Sequence, residues 1–514
     1  MSQRHYDVIV LGRSIGALST AALLARRDFR VLVLGQRQEH EAYSHDGYPL
    51  LRRAFSFLSA TSPCWKRILA ELAQTQTFAR RTQALDPMFS VLSSERRVEV
   101  RPDINAFSMA IDREYPEVRQ VVDELYGNIA DANAAADRLF ERDWVYPPGS
   151  FWERLIAKRA INELPFVHSD SIEDILGKFP PGHPYRDVAM VPALFATDLA
   201  TAPLALPPFA LARLHGAWTR GVLSLPGGEQ ELEDFLIERI TTYGGICQLD
   251  RGAERITLRR GVLAGVVEDG EEETTGADRI VTDLSGESLA ELSQGEGLSR
   301  RAQKDWPKLS VGGGRFCVNF VVRRQGLPEQ LPQESFFLPD SGHAPGPRRP
   351  VLHVQRRDYS DTHSLLVAET LLPAHGPLTL LEARAVVRDA VQAQLPFLEE
   401  HLHFVDSAHD GLPLDDYSTG EHRAIDRVHL PSCPTAAVDM PELWEVQPAG
   451  LSGLGGEPVR GPIPNTYLVG KTVLPALGQE GELIAAWSAA KLITRRDGAR
   501  QTMRRQLFAE IETN

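Results

Sequence analysis

The sequence predicts an α/β fold, and three blocks of the chain carry this prediction. The first block, within the first 35 residues, reads as strand, glycine-containing turn, helix and strand. The second is a Pro-Gly-Gly segment at 226–228, followed by a helical stretch and a glycine pair at 244–245. The third, near the C-terminus, reads as strand, small-residue loop and helix. Strands that alternate with helices are typical of a parallel sheet covered by helices.

The first block has the pattern of a dinucleotide-binding unit. Its four parts are a short apolar strand, the turn, a helix and a second strand, at residues 6–11, 12–17, 18–27 and 30–34. The full motif has three glycines, whereas this chain has Gly12, Ser14 and Ala17 in their places. The backbone of such a turn and the N-terminus of its helix can hold a pyrophosphate. An ordinary βαβ unit without a nucleotide is the alternative.

The end of the second strand departs from the motif. An acidic residue is expected there to bind the ribose hydroxyls, and the chain has Gly35 instead. Loss of that carboxylate removes two charge-assisted hydrogen bonds, each worth about 1.5–3 kcal/mol. A glycine followed by Arg37 is also typical of units that prefer NADP, in which Arg37 would contact the 2′-phosphate.

Length, charge and cysteine spacing limit the class of protein. The 514 residues predict two interleaved or sequential domains, and the formal net charge of −14 argues against a nucleic-acid partner. The four cysteines are far apart, so we expect a reducing compartment and neither a disulfide framework nor a metal site. Without a signal-peptide pattern or a run of about 18 apolar residues, we expect a cytoplasmic protein. The apolar stretch 191–211 predicts buried packing, with peripheral contact at a membrane as the alternative.

The remaining segments connect the three blocks. Residues 76–215 read as mostly helical, and a mixed α/β region runs from 316 to about 455. Helices are predicted at 116–139, 151–164, 229–243 and 482–493. Strands are predicted at 246–249, 255–258, 262–267, 278–283 and 465–470.

The order and spacing of the blocks resemble the phytoene desaturase and carotenoid isomerase branch of the FAD-dependent amine-oxidase-like superfamily. That branch has an N-terminal GxGxxG unit, a central segment of proline and glycines before a helix and two glycines, and a late strand ending in Gly-Asp. The matching segments here are 12–17, 226–228 with 244–245, and 470–471 with 478–481. The resemblance implies a Rossmann-like FAD-binding domain built from discontinuous segments, with an inserted α+β substrate domain. These domains would comprise residues 1–75, 220–295 and 455–500, and residues 76–219 and 296–454, respectively.

The resemblance also implies which residues contact the cofactor. They would follow FAD from its pyrophosphate (Gly12, Ser14, Gly16 and Ala17) to its ribose (Gly35, Gln36 and Arg37), adenine (Ala253), ribityl chain (Gly470 and Lys471) and flavin (Gln479, Glu480 and Gly481). Lys471 stands where the branch has the aspartate of Gly-Asp, and it would pair with the pyrophosphate. For Glu480 and Glu482, a role at the start of a helix is the simpler interpretation.

The function implied is that of an FAD-dependent oxidoreductase, of the desaturase, isomerase or saturase type, acting on a hydrophobic polyene or isoprenoid. Hydride transfer to a flavin needs placement more than an acid–base pair, so no catalytic residue is assigned. Gly35 and Lys471 put FAD binding in question because they replace two expected acids. Two alternatives therefore stay open: a non-catalytic relative that keeps the fold as a binding or scaffold protein, and a flavoenzyme for an amine or a quinone-linked oxidation.

Overall fold

The protein is described by a computed structural model over residues 4–38, 42–140, 145–148, 151–162, 164–166, 171–200, 206–339, 345–430, 432–447 and 453–495. The α-helices of this part of the chain are α1 (Ile15–Ala25), α2 (Pro63–Glu71), α3 (Thr75–Ala79), α4 (Ile104–Glu114), α5 (Arg119–Phe140), α6 (Phe151–Ile161), α7 (Glu173–Leu176), α8 (Tyr185–Ala196), α9 (Pro208–Arg220), α10 (Gly228–Thr242), α11 (Gly286–Leu292), α12 (Arg300–Asp305), α13 (Leu380–Gln394) and α14 (Gly478–Thr494).

The strands of the same residues form two large sheets and two small ones. They are β1 (His5–Leu11), β2 (Val31–Leu34), β3 (Ala42–His45), β4 (Tyr48–Leu51), β5 (Gln83–Ala84), β6 (Phe89–Leu92), β7 (Arg97–Val100), β8 (Leu223–Ser224), β9 (Ile246–Gln248), β10 (Ala253–Arg259), β11 (Val262–Glu268), β12 (Thr274–Thr282), β13 (Lys308–Arg323), β14 (Glu334–Phe337), β15 (Leu352–Asp358), β16 (His363–Pro373), β17 (Leu402–Asp406), β18 (Leu414–Asp416), β19 (Arg423–Ile425), β20 (Glu442–Gln447) and β21 (Thr466–Leu468).

The first large sheet has a Rossmann-type centre. Its parallel strands lie in the order β9-β2-β1-β12-β21, which is 3-2-1-4-5 when they are numbered along the chain. The β10–β11 hairpin extends the sheet by antiparallel pairing with the first half of β12. The sheet therefore draws strands from the beginning, the middle and the end of the chain. The domain bounds of the preceding section stay a prediction, and residues 1–3, 39–41 and 496–500 of the predicted FAD-binding domain lie outside the described residues.

Helix α1 is enclosed on all sides, and its sequence explains how. All eleven of its residues are buried, and most of them are small. At Gly16 a Cβ would lie 1.9 Å from the carbonyl oxygen of Val469, so only glycine allows this close approach. Helix α14, also rich in small residues, packs along α1, and α10 packs on it as well. This packing fixes the N-terminus of α1 beside the carboxyl ends of β1, β12 and β21.

The second large sheet has ten strands in the order β19-β18-β17-β13-β16-β15-β14-β6-β7, with β20 also paired to β13. Two of its strands correct the sequence analysis, because β6 and β7 lie in the segment predicted as mostly helical. Strand β6 pairs with β14, more than 200 residues later in the chain, and local sequence patterns do not reveal such a partner. Helix α13 packs against this sheet through a second apolar cluster.

The apolar stretch 191–211 lies inside the protein. In its described residues, 191–200 and 206–211, every side chain is buried or half-buried, and α8 and α9 carry most of them. Residues 201–205 lie outside the described residues. The prediction of buried packing is thus confirmed for these two segments, whose side chains lie in or against the main apolar cluster, and membrane contact stays a prediction. No helix in the described part of the chain is long and apolar enough to cross a bilayer.

Candidate functional site

The turn between β1 and α1 forms the N-terminus of a buried helix. Gly12 has φ of +111°, a conformation that favours glycine. Ser14 is the N-cap of α1, and its Oγ accepts a hydrogen bond from the Ala17 N–H at 3.2 Å. The structure brings Gly12, Ser14, Gly16 and Ala17 together at this helix end, where backbone N–H groups and the helix dipole favour negative charge.

Asp283, which the motif does not predict, lies at this turn directly after β12. Its Oδ2 accepts a hydrogen bond from the Ser14 N–H at 2.8 Å, and its Oδ1 accepts one from Gln38 Nε2 at 3.3 Å. A Cβ added to Gly12 would come within 1.8 Å of Oδ1, so the carboxylate rests directly on the glycine. Burial raises the pKa of Asp283, and the Ser14 N–H counteracts the rise. A negative group of the chain itself therefore occupies the place where the motif would hold a phosphate.

Glu482 approaches the same helix end from the other side. It lies in the first turns of α14, is 3% exposed, and its Oε2 accepts a hydrogen bond from the Gly16 N–H at 3.4 Å. Burial raises its pKa to about 7, and Asp283 adds to the rise, while the Lys471 ammonium opposes it. The prediction that Glu482 serves at a helix start is incomplete, since its carboxyl group also reaches the N-terminus of α1.

Gly470 and Lys471 lie beside these carboxyl groups. A Cβ at Gly470 would come within 2.2 Å of the carbonyl oxygen of Asp283, so the loop after β21 packs tightly on the end of β12. Burial raises the pKa values of both Glu482 and Glu442, and the charge of the half-buried Lys471 opposes that rise. The lysine at this position therefore offsets negative charge that belongs to the protein.

Groups of the protein itself fill the place that was predicted to bind the adenosine of FAD. A Cβ at Gly35 would lie 2.0 Å from the carbonyl oxygen of Leu249, so no acidic side chain fits there. Gln36, with φ of +57°, uses its Oε1 to accept the Ala253 N–H at 2.6 Å. Arg37 points to solvent, with 69% of its side chain exposed, and pairs with Asp269 at 2.7 Å. Gly35, Gln36 and Ala253 thus come together, while Arg37 turns away from them.

The predicted flavin end contains a buried ion pair. Glu480 accepts two hydrogen bonds from the Arg213 guanidinium, both of 2.7 Å, and another from the Ser62 hydroxyl. Burial alone would raise the pKa of Glu480, but the charge and hydrogen bonds of Arg213, together with Arg220 and the Ser62 hydroxyl, hold that pKa below its usual value. Gln479 donates from Nε2 to the Ser56 carbonyl at 2.8 Å, and Gly481 packs against the carbonyl of Leu474.

Two cavities meet at these residues. A large cleft of about 1040 Å³ runs along the turn, and its lining includes Arg13, Ser14, Asp283, Ser285, Thr472 and Glu442. A small pocket of about 90 Å³ lies where the second large sheet meets α8, α9 and the beginning of α14. Arg53, Lys471 and Glu482 line both of them. The volume of the large cleft slightly exceeds the usual range of ligand sites, about 300–1000 Å³, and the volume of the small pocket falls below that range.

The wall of the small pocket is charged and aromatic. Ion pairs join Arg315 to Glu369 at 2.9 Å and His353 to Glu334 at 2.8 Å. The ring of Phe336 stacks on that of His353, with centroids 4.9 Å apart. Two buried polar atoms of the wall, Ser56 Oγ and Gln479 Oε1, have no hydrogen-bond partner within the described residues. Buried polar groups are seldom left without a partner, so these atoms are places for ligand hydrogen bonds.

Sequence patterns give weak signals for these wall residues. The aromatic rings of the small pocket come from β6, α8, α9, β14, β15 and the segment between β4 and α2, which are far apart in the chain. Trp487, the aromatic residue nearest the third block, lines neither cavity, and its ring lies 4.1 Å from the Arg67 guanidinium. For Asp283 a signal did exist, because ligands of open α/β sheets bind beyond the carboxyl ends of the strands. The described residues contain no group of three His, Cys, Asp or Glu arranged to hold a metal ion.

A dinucleotide fits this site in part. The cleft is large enough, and Gly12, Ser14 and Gly16 form the helix end that such a ligand uses. Two backbone donors that the resemblance assigns to the ligand, the Ser14 and Ala253 N–H groups, instead have partners within the chain. The side chains of Asp283 and Gln36 would therefore have to move before a dinucleotide could take their hydrogen bonds.

Comparison with known proteins supports the fold. No protein-family profile and no curated protein sequence matches the chain. Among solved structures, an oxidoreductase from Methanosarcina mazei is similar, with 13% sequence identity over 94% of this chain and 99% of the other, and a TM-score of 0.56. Putrescine oxidase bound to putrescine gives 13% identity, 96% and 99% coverage and a TM-score of 0.56. RAB GDI from Plasmodium falciparum gives 10% identity, 95% and 98% coverage and a TM-score of 0.51.

These structures share one architecture and carry different names, so the likeness determines the fold and leaves the activity open. They do not single out the phytoene desaturase branch. The predicted fold class is confirmed: the protein has an α/β fold with a Rossmann-like domain built from discontinuous segments and an inserted α+β domain.

Proposed function

We propose that the protein is a flavin-dependent oxidoreductase that acts on a small molecule. The observation that carries this proposal is the junction of the two cavities at Arg53, Lys471 and Glu482. A cofactor in the large cleft would border the small pocket there, which is the arrangement that transfer between a bound cofactor and a substrate requires. The names of two similar structures, an oxidoreductase and a putrescine oxidase, support the same class of activity.

The chain would hold FAD mainly through its backbone. Gly12, Ser14 and Gly16 would face the pyrophosphate at the N-terminus of α1, and Lys471 supplies a positive charge on the opposite side of the cleft. When bound, FAD supplies the electron acceptor for the substrate's hydride. The Arg213–Glu480 pair and the Gln479 amide would shape the end of the pocket that faces the flavin.

The resemblance to phytoene desaturases implies a long polyene or isoprenoid as the substrate. The size of the small pocket favours a smaller substrate instead. Its volume of about 90 Å³ is far below that of most ligand sites, about 300–1000 Å³. Its wall carries several ion pairs, together with the unpartnered Ser56 Oγ and Gln479 Oε1. We therefore favour a compact molecule with an aromatic or alkyl part and at least one hydrogen-bond donor.

A non-catalytic binding or scaffold protein is the second candidate. It is favoured by the hydrogen bonds of Asp283 to Ser14 and of Gln36 to Ala253, which satisfy the cofactor-binding backbone without a cofactor. The occurrence of the same architecture in RAB GDI shows that the fold is not confined to proteins named as oxidoreductases.

The visible absorption spectrum of the purified protein, before and after incubation with excess FAD, tests the proposal. We expect a flavin band near one equivalent after incubation, and a loss of affinity of about tenfold or more in Lys471→Met, because a charged contact is removed. Lys308→Met, at an exposed position on β13, is the control and should bind like the wild type. A folded protein that gains no flavin signal at any pH between 6 and 8 would favour the second candidate.

A further inference from the structure

Two acidic side chains occupy the place that the βαβ motif offers to a phosphate. Asp283 accepts the Ser14 N–H at 2.8 Å and rests on Gly12, and Glu482 accepts the Gly16 N–H at 3.4 Å. We call Asp283 and Glu482 the carboxylate pair. An N-terminus of a helix attracts phosphate and carboxylate by the same dipole and N–H groups, so the two kinds of anion compete for one position.

The surroundings of the carboxylate pair hold limited positive charge. On the turn after β1 the facing groups are the Ser14 N–H, the Ser14 hydroxyl and the Arg13 backbone, and Gln38 adds an amide. From the other elements come Lys471 and Arg53, and one further acid, Asp198, which adds negative charge. Arg53 itself is paired with Glu229. A phosphate entering this place would meet two carboxyl groups and few free cations.

The backbone around Asp283 is fixed, whereas its side chain has room to leave. The Asp283 N–H donates to the Leu11 carbonyl at 3.2 Å, and its own carbonyl packs on Gly470. The side chain is half-buried and lines the large cleft, so rotation about its Cα–Cβ bond carries the carboxylate toward open space. Glu482 also lines that cleft, but its side chain is 3% exposed, so a phosphate beside it favours protonation of the Glu482 carboxyl group.

We propose that this protein binds the phosphates of a dinucleotide by exchange: the phosphate displaces the Asp283 carboxylate from the N-terminus of α1, and Glu482 takes up one proton from solvent. This inference rests on the proposed function, which supplies the ligand, and it adds how the affinity for that ligand depends on pH. The affinity for FAD rises as the pH falls, because the bound state holds more protons than the free state. Above the pKa of about 7 that burial gives Glu482, the Kd rises by up to about tenfold per pH unit.

Substitutions at Asp283 test the displacement of its carboxylate separately from the uptake of a proton by Glu482. Asp283→Asn keeps the shape of the side chain and removes its charge, whereas Asp283→Ser removes both. We expect both variants to bind FAD at least about tenfold more tightly than the wild type at pH 8, since a like charge within a few ångströms of the phosphate is removed. Asp278→Asn, on the same strand with a side chain 55% exposed, is the matched control and should bind as the wild type does.

The experiment is a titration of the full chain with FAD at pH 6, 7 and 8, followed by flavin fluorescence and by calorimetry in two buffers of different ionisation enthalpy. Riboflavin, which lacks phosphates, is the second probe, and its affinity should not change with pH or with the Asp283 variants. Uptake of about one proton at pH 8 and the tighter binding of both Asp283 variants would support the exchange. Thermal denaturation of each variant checks that it is folded.

The outcomes distinguish this inference from the proposed function. Tight, pH-independent binding of FAD by the wild type, with Asp283 variants equal to Asp278→Asn, would overturn the exchange and leave the proposed function standing. Absence of FAD binding in every folded variant, at pH 6 as well as at pH 8, would overturn both.

Discussion

Replacing Arg213 with methionine should destabilise the protein more than any surface substitution. Arg213 is 2% exposed and donates 2.7 Å hydrogen bonds from Nε and Nη2 to Glu480, and it also reaches Asn133 and Asp137. The variant Arg213→Met keeps the length of the side chain but leaves the Glu480 carboxylate buried without its cation. Removal of one partner of a buried ion pair costs about 3–5 kcal/mol, so we expect a loss of that size in the free energy of unfolding.

The acidity of Glu480 gives this prediction a second readout. In the wild type the pKa of Glu480 is lowered, so its stabilising contribution is present above the unfolded pKa and is lost as the pH falls through the folded pKa. In Arg213→Met the Arg220 charge and the Ser62 hydroxyl still lower the pKa of Glu480, but they are weaker than the burial that raises it. The pH dependence of the free energy of unfolding therefore reverses its sign, and the variant should regain stability as the pH is lowered from 7 to 5. The double variant Arg213→Met/Glu480→Gln should recover most of the loss at pH 7, because the unpaired charge is gone.

Urea denaturation followed by far-UV circular dichroism, at pH 5 and pH 7, is the assay. The exposed pair of Arg113 and Glu114 provides the control, since Arg113→Met should cost less than about 1 kcal/mol. A loss below about 1 kcal/mol in Arg213→Met, or a double variant no more stable than the single one, would show that Glu480 does not depend on Arg213 for its charge.

Three further predictions concern the N-terminus of α1. Ser14→Ala removes the N-cap bond to the Ala17 N–H and should lower the free energy of unfolding by about 1 kcal/mol in the same assay, whereas Ser14→Asp should retain the cap. Gly16→Val places atoms 1.9 Å from the Val469 carbonyl, so we expect little soluble protein on expression; recovery of normally folded protein would contradict the close approach. Glu482 has a folded pKa of about 7, above the unfolded value, so wild-type stability should fall by about 3 kcal/mol as the pH rises from 4 to 8. Glu482→Gln should remove that part of the pH dependence, and an unchanged pH profile would refute the assignment.

The parts of the fold that follow local rules could be predicted from the sequence. The strand predicted at 6–11 is β1 (His5–Leu11), and the helix predicted at 229–243 is α10 (Gly228–Thr242). The strand is marked by an apolar run that ends before Gly12, and the helix is marked by the acidic residues of its first turn and the glycines that follow it. The late helix was predicted to begin at 482, and α14 begins at Gly478 because the chain turns there through φ of +52°.

The parts that depend on distant partners could not be predicted. Strand β6 exists because its residues pair with β14, and the sequence around 89–92 carries no sign of that pairing. The ion pair of Glu480 with Arg213 joins residues 267 positions apart. Gly35 illustrates the same limit. A glycine is required at this position because the carbonyl of Leu249 leaves no room for a side chain, and a preference for one nucleotide does not explain it.

Asp283 lies at the turn of the motif although the motif itself does not include it. A search for GxGxxG examines the turn at 12–17, whereas the anion that meets this turn comes from a strand end more than 260 residues later. The departures at Gly35 and Lys471 predict a changed cofactor site, and in the structure Gln36 and Asp283 accept the Ala253 and Ser14 N–H groups of that predicted site. A degenerate motif is thus better interpreted together with the carboxyl ends of the neighbouring strands.

The discontinuous first sheet has a consequence for how the chain is made. Strand β12 pairs with β1 on one side and with β21 on the other, and α1 packs on α14. At a synthesis rate of about 5–20 residues per second, on the order of a minute separates the emergence of α1 from that of α14. During that interval one apolar face of α1 and one edge of β12 are exposed, because α14 and β21 have not yet been synthesised. Nascent chains that stall before residue 466 should therefore depend on chaperones and be prone to aggregation.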